Sequence, residues 1–158
     1  MDYEIREIKK EEYPLLRDFL YEAIFVPEGM EPPPRSILDT PQLQEYIFEF
    51  GQRADDKALV AQVQDNIVGA VWVRIMNDYG HIDDDTPSLA MSVLKEYRGK
   101  GIGTALLKQL LSLLKSEGYK KVSLSVQKEN YAVQMYKKVG FVVVGENREE
   151  YVMVAGVN

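Results

Sequence analysis

The sequence predicts an α/β fold of the α+β kind: a mixed, mostly antiparallel seven-stranded sheet with about four helices on its two faces. Short runs of alternating or continuous apolar residues, typical of strands, occur seven times along the chain. Between them, apolar residues recur every three or four positions, as in helices packed on a sheet. At 158 residues, with no repeat or linker, we expect a single domain over 1–158.

The elements of the first half follow from periodicity and from proline. Residues 3–8 alternate apolar and polar side chains and predict a strand, and 11–25 carries an apolar helical face with Pro14 in its first turn. The segment 26–41 contains five of the seven prolines and predicts a stiff loop. We predict a second helix over 41–50, capped by Asp39 or Thr40.

The second half alternates between the two periodicities. An Asp-Asn pair at 65 and 66 predicts a tight hairpin turn. A stripe of leucines predicts a helix over 102–114, which Gly118 closes. The strands that we predict after residue 50 are 57–64, 67–76, 88–94, 121–126, 141–144 and 151–154, and the last helix is 130–138.

Composition excludes several functions. The chain has no cysteine, which excludes disulfides, thiolate zinc sites and a cysteine nucleophile. A net charge of -6 and a pI near 4.9 disfavour nucleic acid as a partner. The start of the chain lacks the pattern of a signal peptide, and no apolar run has membrane-spanning length, so we expect a cytoplasmic protein without a membrane partner. We also expect no metal.

A glycine-rich turn lies between the predicted strand 88–94 and the helix that begins at residue 102. Free N–H groups at a helix start, glycines that allow close approach, and two basic side chains favour a bound phosphate or pyrophosphate. The P-loop template fails because Gly101 follows Lys100, and the dinucleotide fingerprint fails at its last position. The residues that form this turn are Arg98, Gly99, Lys100, Gly101, Ile102, Gly103 and Thr104.

This turn fits R/Q-x-x-G-x-G/A at every position and resembles the acetyl-CoA pyrophosphate loop of the GNAT superfamily of N-acetyltransferases. A second segment, running from Asn130 to Phe141, is similar to the N-x-x-A-x-x-x-Y-x-x-x-G-F signature of the same family. The predicted order of strands and helices also matches that fold, so the resemblance covers about residues 3–155.

The resemblance implies acetyl-CoA as the acyl donor and an amine as the acceptor. It implies that Tyr136 protonates the departing thiolate, since a phenol with a pKa of about 10 is a suitable acid. It also implies that the strand containing Met91, Ser92 and Val93 bonds the pantetheine, with the Val93 amide polarising the thioester carbonyl. Asn130 would contact the pantetheine arm or a bound water.

The general base and the acceptor are left open by the sequence. Neither the fourth nor the fifth predicted strand carries a carboxylate, so the candidates for the base are His81, Asp83, Asp84, Asp85, Glu22 or a water chain. The acceptor is a small-molecule or peptide amine, and the loop containing Phe25, Met30 and Arg35 forms either a lid over it or a plain connector. Relatives of this kind are commonly homodimers. The alternatives are a non-catalytic acyl-CoA-binding or sensing module and, less favoured, a nucleotide-binding regulatory domain.

Overall fold

The computed structural model describes residues 2–157, which form one seven-stranded sheet covered by helices on both faces. The strands are β1 (Glu4–Glu7), β2 (Lys57–Val63), β3 (Asn66–Arg74), β4 (Ser88–Val93), β5 (Lys121–Gln127), β6 (Val142–Glu146) and β7 (Glu150–Gly156). The helices are α1 (Leu15–Ala23), α2 (Pro41–Gln44), α3 (Ile102–Ser116) and α4 (Ala132–Val139). The predicted fold class is confirmed.

The order of strands in the sheet is β1-β2-β3-β4-β5-β7-β6. Every neighbouring pair is antiparallel except β4 and β5, which run parallel because α3 connects them. The one parallel pair therefore lies in the middle of the sheet, next to the glycine-rich turn.

Each face of the sheet has its own apolar core, because side chains alternate along the strands. Leu106, Leu110 and Leu114 of α3 are fully buried against one face. On the other face, Phe19 of α1 and Trp72 of β3 belong to a second core. The two periodicities read in the sequence thus produce two layers of helices with the sheet between them.

The predicted helix over 11–25 is wrong in its first turn. A short 3-10 helix occupies Lys10–Glu12, and α1 begins only at Leu15. Pro14 has no N–H to donate to Lys10, so the chain makes three-residue turns instead: Tyr13 N–H donates to Lys10 O at 3.2 Å and Leu16 N–H donates to Tyr13 O at 3.0 Å.

The predicted second helix over 41–50 is also wrong in length, because α2 ends at Gln44 and turns follow. Side chains of β3 take the carbonyl groups that a continuing helix would use. Arg74 donates to Glu45 O at 3.0 Å and to Phe48 O at 2.9 Å, while Trp72 donates to Tyr46 O at 3.1 Å. The turn after α2, residues 45–51, is therefore bound to β3.

The hairpin between β2 and β3 turns one residue earlier than predicted. Val63 pairs with Asn66, so the loop consists of Gln64 and Asp65, and Gln64 has a φ of 55°. The last two strands are confirmed with small changes of boundary. None of the helices formed by residues 2–157 has the length and apolar character that crossing a membrane requires.

Candidate active site

The glycine-rich turn presents a row of free backbone amides. In the described part of the chain, the N–H groups from Gly99 to Thr104 have no hydrogen-bond acceptor, and the first bond of α3 joins Ala105 N–H to Gly101 O at 3.1 Å. Gly99 and Gly101 have φ values of 75° and 86°, which L side chains rarely adopt. A Cβ at either glycine would meet nothing within 4 Å, so the space above these amides is open to a ligand.

The side chain of Arg98 ties the turn to β4 and α1. Its Nε donates to Val93 O at 2.8 Å, and its Nη2 forms an ion pair with Glu22 Oε2 at 3.3 Å. The guanidinium thus joins the end of β4 to the end of α1. Through this residue the turn is positioned relative to both, while the Lys100 side chain is exposed beside it.

A gap opens between β4 and β5 next to the turn. The strands are paired at Ser88 and Ser123, where Ser123 N–H donates to Pro87 O at 3.0 Å, and no further pair joins them within residues 2–157. The turn follows the far end of β4. The gap therefore leads from the paired end of the two strands toward the free amides.

Backbone groups of β4 face this gap in alternation. Leu94 N–H donates to Val68 O at 2.8 Å, which marks one hydrogen-bonded pair of the β3–β4 ladder. Such pairs alternate with non-bonded ones along an antiparallel ladder, so Ser92, two residues before Leu94, is also hydrogen-bonded to β3. The backbone N–H and C=O groups of Met91 and Val93 therefore point into the gap. The Ser92 hydroxyl donates to Phe19 O at 2.6 Å, on the face covered by α1.

The start of α3, β4 and α4 converge at Gly103. A Cβ built there would lie 3.5 Å from Met135 Sδ and 3.5 Å from Met91 Cε. Beside this junction a groove of about 330 Å³ lies between α3 and α4, with Thr104, Lys108 and Lys138 among its lining residues. Its two lysines suit an anionic ligand that extends from the turn.

Tyr136 lies on α4 and belongs to the core on the α3 side of the sheet. Its ring is buried and meets Phe141 edge-on, with ring centroids 5.6 Å apart. Burial raises the pKa of Tyr136, and no neighbouring charge opposes the shift. The phenol is therefore protonated at neutral pH, as a proton donor must be.

Asn130 bonds the first turn of α4, although the N-cap position falls one residue later than predicted, on Tyr131. Its Oδ1 accepts the Ala132 N–H at 2.9 Å, and its carbonyl oxygen accepts the Val133 N–H at 3.1 Å. The side-chain oxygen is thus engaged at the helix start, next to the end of β5. The helix begins two residues later than predicted.

The candidates for the general base lie in the β3–β4 loop and on α1. His81 Nε2 contacts Asp84 Oδ1 at 3.3 Å, and its Nδ1 is buried without a partner among the described residues. Asp83 has its pKa lowered, first by Thr86 and then by the Asp85 amide, which makes it a weaker base. Glu22 is engaged by Arg98 as described above.

The loop before α2 is fastened to α1. The Tyr21 hydroxyl donates to Pro33 O at 2.5 Å, and Arg35 pairs with Asp18 at 2.5 Å while stacking over the Tyr21 ring. Met30 projects with 65% of its surface exposed. The segment therefore has one anchored part, around 33–35, and an exposed tip.

Sequence reasoning missed a group of polar residues on the α1–α2 face of the sheet. Tyr46, Asp78, Ser125 and Glu150 come together there from the turn after α2, the β3–β4 loop, β5 and β7. Four separate segments contribute one residue each, so no local motif signals the group. The pairing of β5 with β7 brings Glu150 to this face, and the hydrogen bond from Tyr46 joins Asp78 to the group.

Comparison with known proteins agrees with this geometry. The family model described as acetyltransferase (GNAT) family matches residues 4–141. The chain therefore belongs to the acetyltransferase (GNAT) family, and the prediction of an acyltransferase enzyme is confirmed at the level of that family.

Individual relatives show the same fold. A GNAT-family acetyltransferase from Streptococcus pneumoniae superposes with a TM-score of 0.74 at 21% identity, covering 99% of this chain and 100% of that one. The PaiA N-acetyltransferase from Thermoplasma acidophilum, in complex with coenzyme A, gives 0.72 at 22% identity, with 99% of each chain covered.

A similarity in sequence extends to curated proteins. An N-alpha-acetyltransferase from Saccharolobus solfataricus is 34% identical over 106 residues, which are 61% of this chain and 60% of the relative. The chain spans about half the length of the curated relatives that it matches, from 28% to 60%.

Proposed function

We propose that the protein transfers the acetyl group of acetyl-CoA directly to a primary amine. The observation that carries this proposal is the row of free amides from Gly99 to Thr104 at the mouth of the β4–β5 gap. Amides at a helix start attract a diphosphate, and the strand gap offers backbone donors and acceptors to the amide groups of a pantetheine arm. Membership of the acetyltransferase (GNAT) family supports the same donor.

The residues of the site fit the donor in three places. The turn would hold the pyrophosphate with main-chain N–H groups, while the Arg98 side chain keeps the turn in position. The backbone of Met91 and Val93 would hold the pantetheine, with the Val93 N–H directed at the thioester carbonyl. Preorganised donors of this kind lower an acyl-transfer barrier by up to ~3–4 kcal/mol each.

Tyr136 is proposed as the acid of the reaction. The thiolate must gain a proton as the carbon–sulfur bond breaks, and a buried, protonated phenol supplies one. The role of Asn130 toward the cofactor stays a prediction, since its side-chain oxygen already accepts the Ala132 N–H.

The experiment is release of free thiol from acetyl-CoA in the presence of single amines. Suitable amines are butane-1,4-diamine, a lysine-containing peptide with a blocked N-terminus, and a peptide with a free N-terminus and no lysine. We expect saturable thiol release with at least one of them. Binding of CoA without thiol release from any amine would instead favour the non-catalytic acyl-CoA-binding module. The prediction of a homodimer stays a prediction.

A further inference from the structure

The polar group on the α1–α2 face lies beside the β4–β5 gap and includes none of the residues proposed to bind the donor. Val122, Leu124 and Val126 of β5 point into the core under α3, so Ser125 and Gln127 point to the opposite face. Gln127 pairs across the sheet with Glu150 of β7. This face is therefore the side of the gap away from Tyr136, where an acceptor can approach the acetyl group.

Two carboxylates of this group have neutral partners only. The Tyr46 and Ser88 hydroxyls donate to Asp78 at 3.1 Å and 3.0 Å, and Gln127 Nε2 donates to Glu150 Oε1 at 2.9 Å. Among residues 2–157, neither Asp78 nor Glu150 forms an ion pair, whereas Asp18, Glu22 and Glu45 all do. The second oxygen of Glu150 has no donor in the described chain.

The electrostatics of the group disfavour further negative charge. Burial raises the pKa of Glu150, and the neighbouring charges of Glu149 and Asp78 raise it further. Burial likewise raises the pKa of Tyr46, with Asp78 as the next cause. Uncompensated carboxylates close to one another are stabilised by a cation between them.

The loop that carries Asp78 is held firmly on the sheet. A Cβ on Gly80 would lie 3.2 Å from the backbone of β5 at Ser125, so the loop packs closely on that strand. Ser123, on the same face as Ser88, is fully buried, and its hydroxyl has no partner among the described residues. Asp78 thus belongs to a loop that packs closely on β5, a strand that also carries the unsatisfied Ser123 hydroxyl.

We propose that Asp78 and Glu150 bind the ammonium group of the acceptor and that Glu150 accepts the proton which the amine must lose before attack. This proposal rests on the proposed function and names the acceptor class: a primary alkylammonium, such as a polyamine or a lysine side chain, with a pKa of about 10.4. Neutral hydroxyl partners hold Asp78, and the free oxygen of Glu150 receives the proton.

The proposed reaction begins with the loss of a proton from the ammonium group. One N–H bond of the ammonium breaks and its proton goes to Glu150, which leaves the nitrogen lone pair to form the carbon–nitrogen bond with the acetyl carbonyl carbon. The carbon–sulfur bond breaks, and the thiolate takes the proton of Tyr136. The second proton of the amine nitrogen restores the phenol, so that amide and free thiol leave and Glu150 returns its proton to water.

The test compares two amines in two isosteric variants. Butane-1,4-diamine is charged at pH 7, whereas O-methylhydroxylamine is neutral and needs no prior deprotonation. For Glu150→Gln we expect kcat/KM to fall roughly 100-fold or more with the diamine and less than about 5-fold with the neutral amine. Glu4→Gln removes the same charge from an exposed side chain on the edge strand β1, and we expect less than about a 3-fold change with either amine.

Each result decides the proposal. Equal losses for both amines in Glu150→Gln, or no loss with the diamine, would overturn it, as would a wild-type enzyme that acetylates peptide N-termini but not the diamine. Absence of thiol release with every amine would instead defeat the proposed function. Should Glu150→Gln fail to fold, Asp78→Asn gives an independent test. We expect its KM to rise about 10-fold for the diamine and to stay unchanged for the neutral amine. An unchanged KM for both amines would overturn the proposal.

Discussion

Replacing Arg74 by methionine is expected to destabilise the protein and to loosen the acceptor side of the site. Arg74 is fully buried and donates to both oxygens of Asp56, at 3.0 Å and 2.8 Å. It also donates to the carbonyl groups of Glu45 and Phe48, on either side of Tyr46. One guanidinium thus holds the turn that carries the proposed partner of Asp78.

The magnitude follows from the burial of the pair. The side chains of Arg74 and Asp56 are both 0% exposed, so Arg74→Met leaves a buried carboxylate with only the amides of Gly51 and Arg53 as donors. Breaking a buried pair by removing one partner costs about 3–5 kcal/mol. Arg53→Met is the matched control, because the Arg53–Glu45 side chains are 38% and 37% exposed and such a pair contributes less than ~1 kcal/mol.

The assay is urea unfolding of both variants, followed by kinetics at a temperature where each is folded. We expect the free energy of unfolding to fall several-fold further in Arg74→Met than in Arg53→Met. The KM for the amine should rise while the affinity for CoA is unchanged, since the glycine-rich turn lies elsewhere. Equal losses of stability in the two variants would refute the reasoning.

Three further predictions concern the donor site and acid stability. Tyr136→Phe should lower kcat roughly 10- to 1000-fold with CoA affinity little changed; unchanged turnover, measured by thiol release, would remove it from the mechanism. Gly101 has a φ of 86°, and Gly101→Val should weaken CoA binding at least ~10-fold, as measured by calorimetry. Gly118, which follows α3, has a φ of 88°, so Gly118→Val should strain the backbone similarly without loss of CoA affinity. The hydrogen bond from Arg6 lowers the pKa of Glu12 from 4.5 to about 2, so this pair stabilises the fold above pH 4.5 and is lost as the pH falls toward 2. Between pH 4.5 and 2, the free energy of unfolding measured in urea should therefore fall by about 1–2 kcal/mol less in Glu12→Gln than in wild type. An equal fall in the two proteins would contradict the pairing.

Local patterns were sufficient for the elements that determine the donor site. The leucine stripe of α3 and the glycines before it are consecutive in sequence, so periodicity and backbone freedom predicted both the helix and the free amides at its start. Asn130 was predicted as the N-cap of α4, and its side chain does bond the first turn, although the N-cap position itself falls on Tyr131. These features depend on residues close together along the chain.

Long-range contacts account for what sequence reasoning missed. The turn after α2 looked helical because its apolar spacing is helical, and only Arg74 and Trp72, more than twenty residues later, divert its carbonyl groups. Glu150, the proposed base, gave no signal in the sequence because it lies just before the predicted last strand, 151–154, and its neighbourhood arises from the pairing of β5 with β7. The sequence analysis looked for a base on the fourth and fifth predicted strands, in the loop before the fourth strand and at Glu22, whereas the proposed base lies on β7.

The most direct test of the donor site follows the backbone amides of Gly99 to Thr104 by nitrogen–proton NMR during titration with CoA. We expect their resonances to shift and their hydrogen exchange to slow as CoA binds, because each gains an acceptor that it lacks in the free chain. Saturable CoA binding that leaves these amides unchanged while others shift would contradict the account.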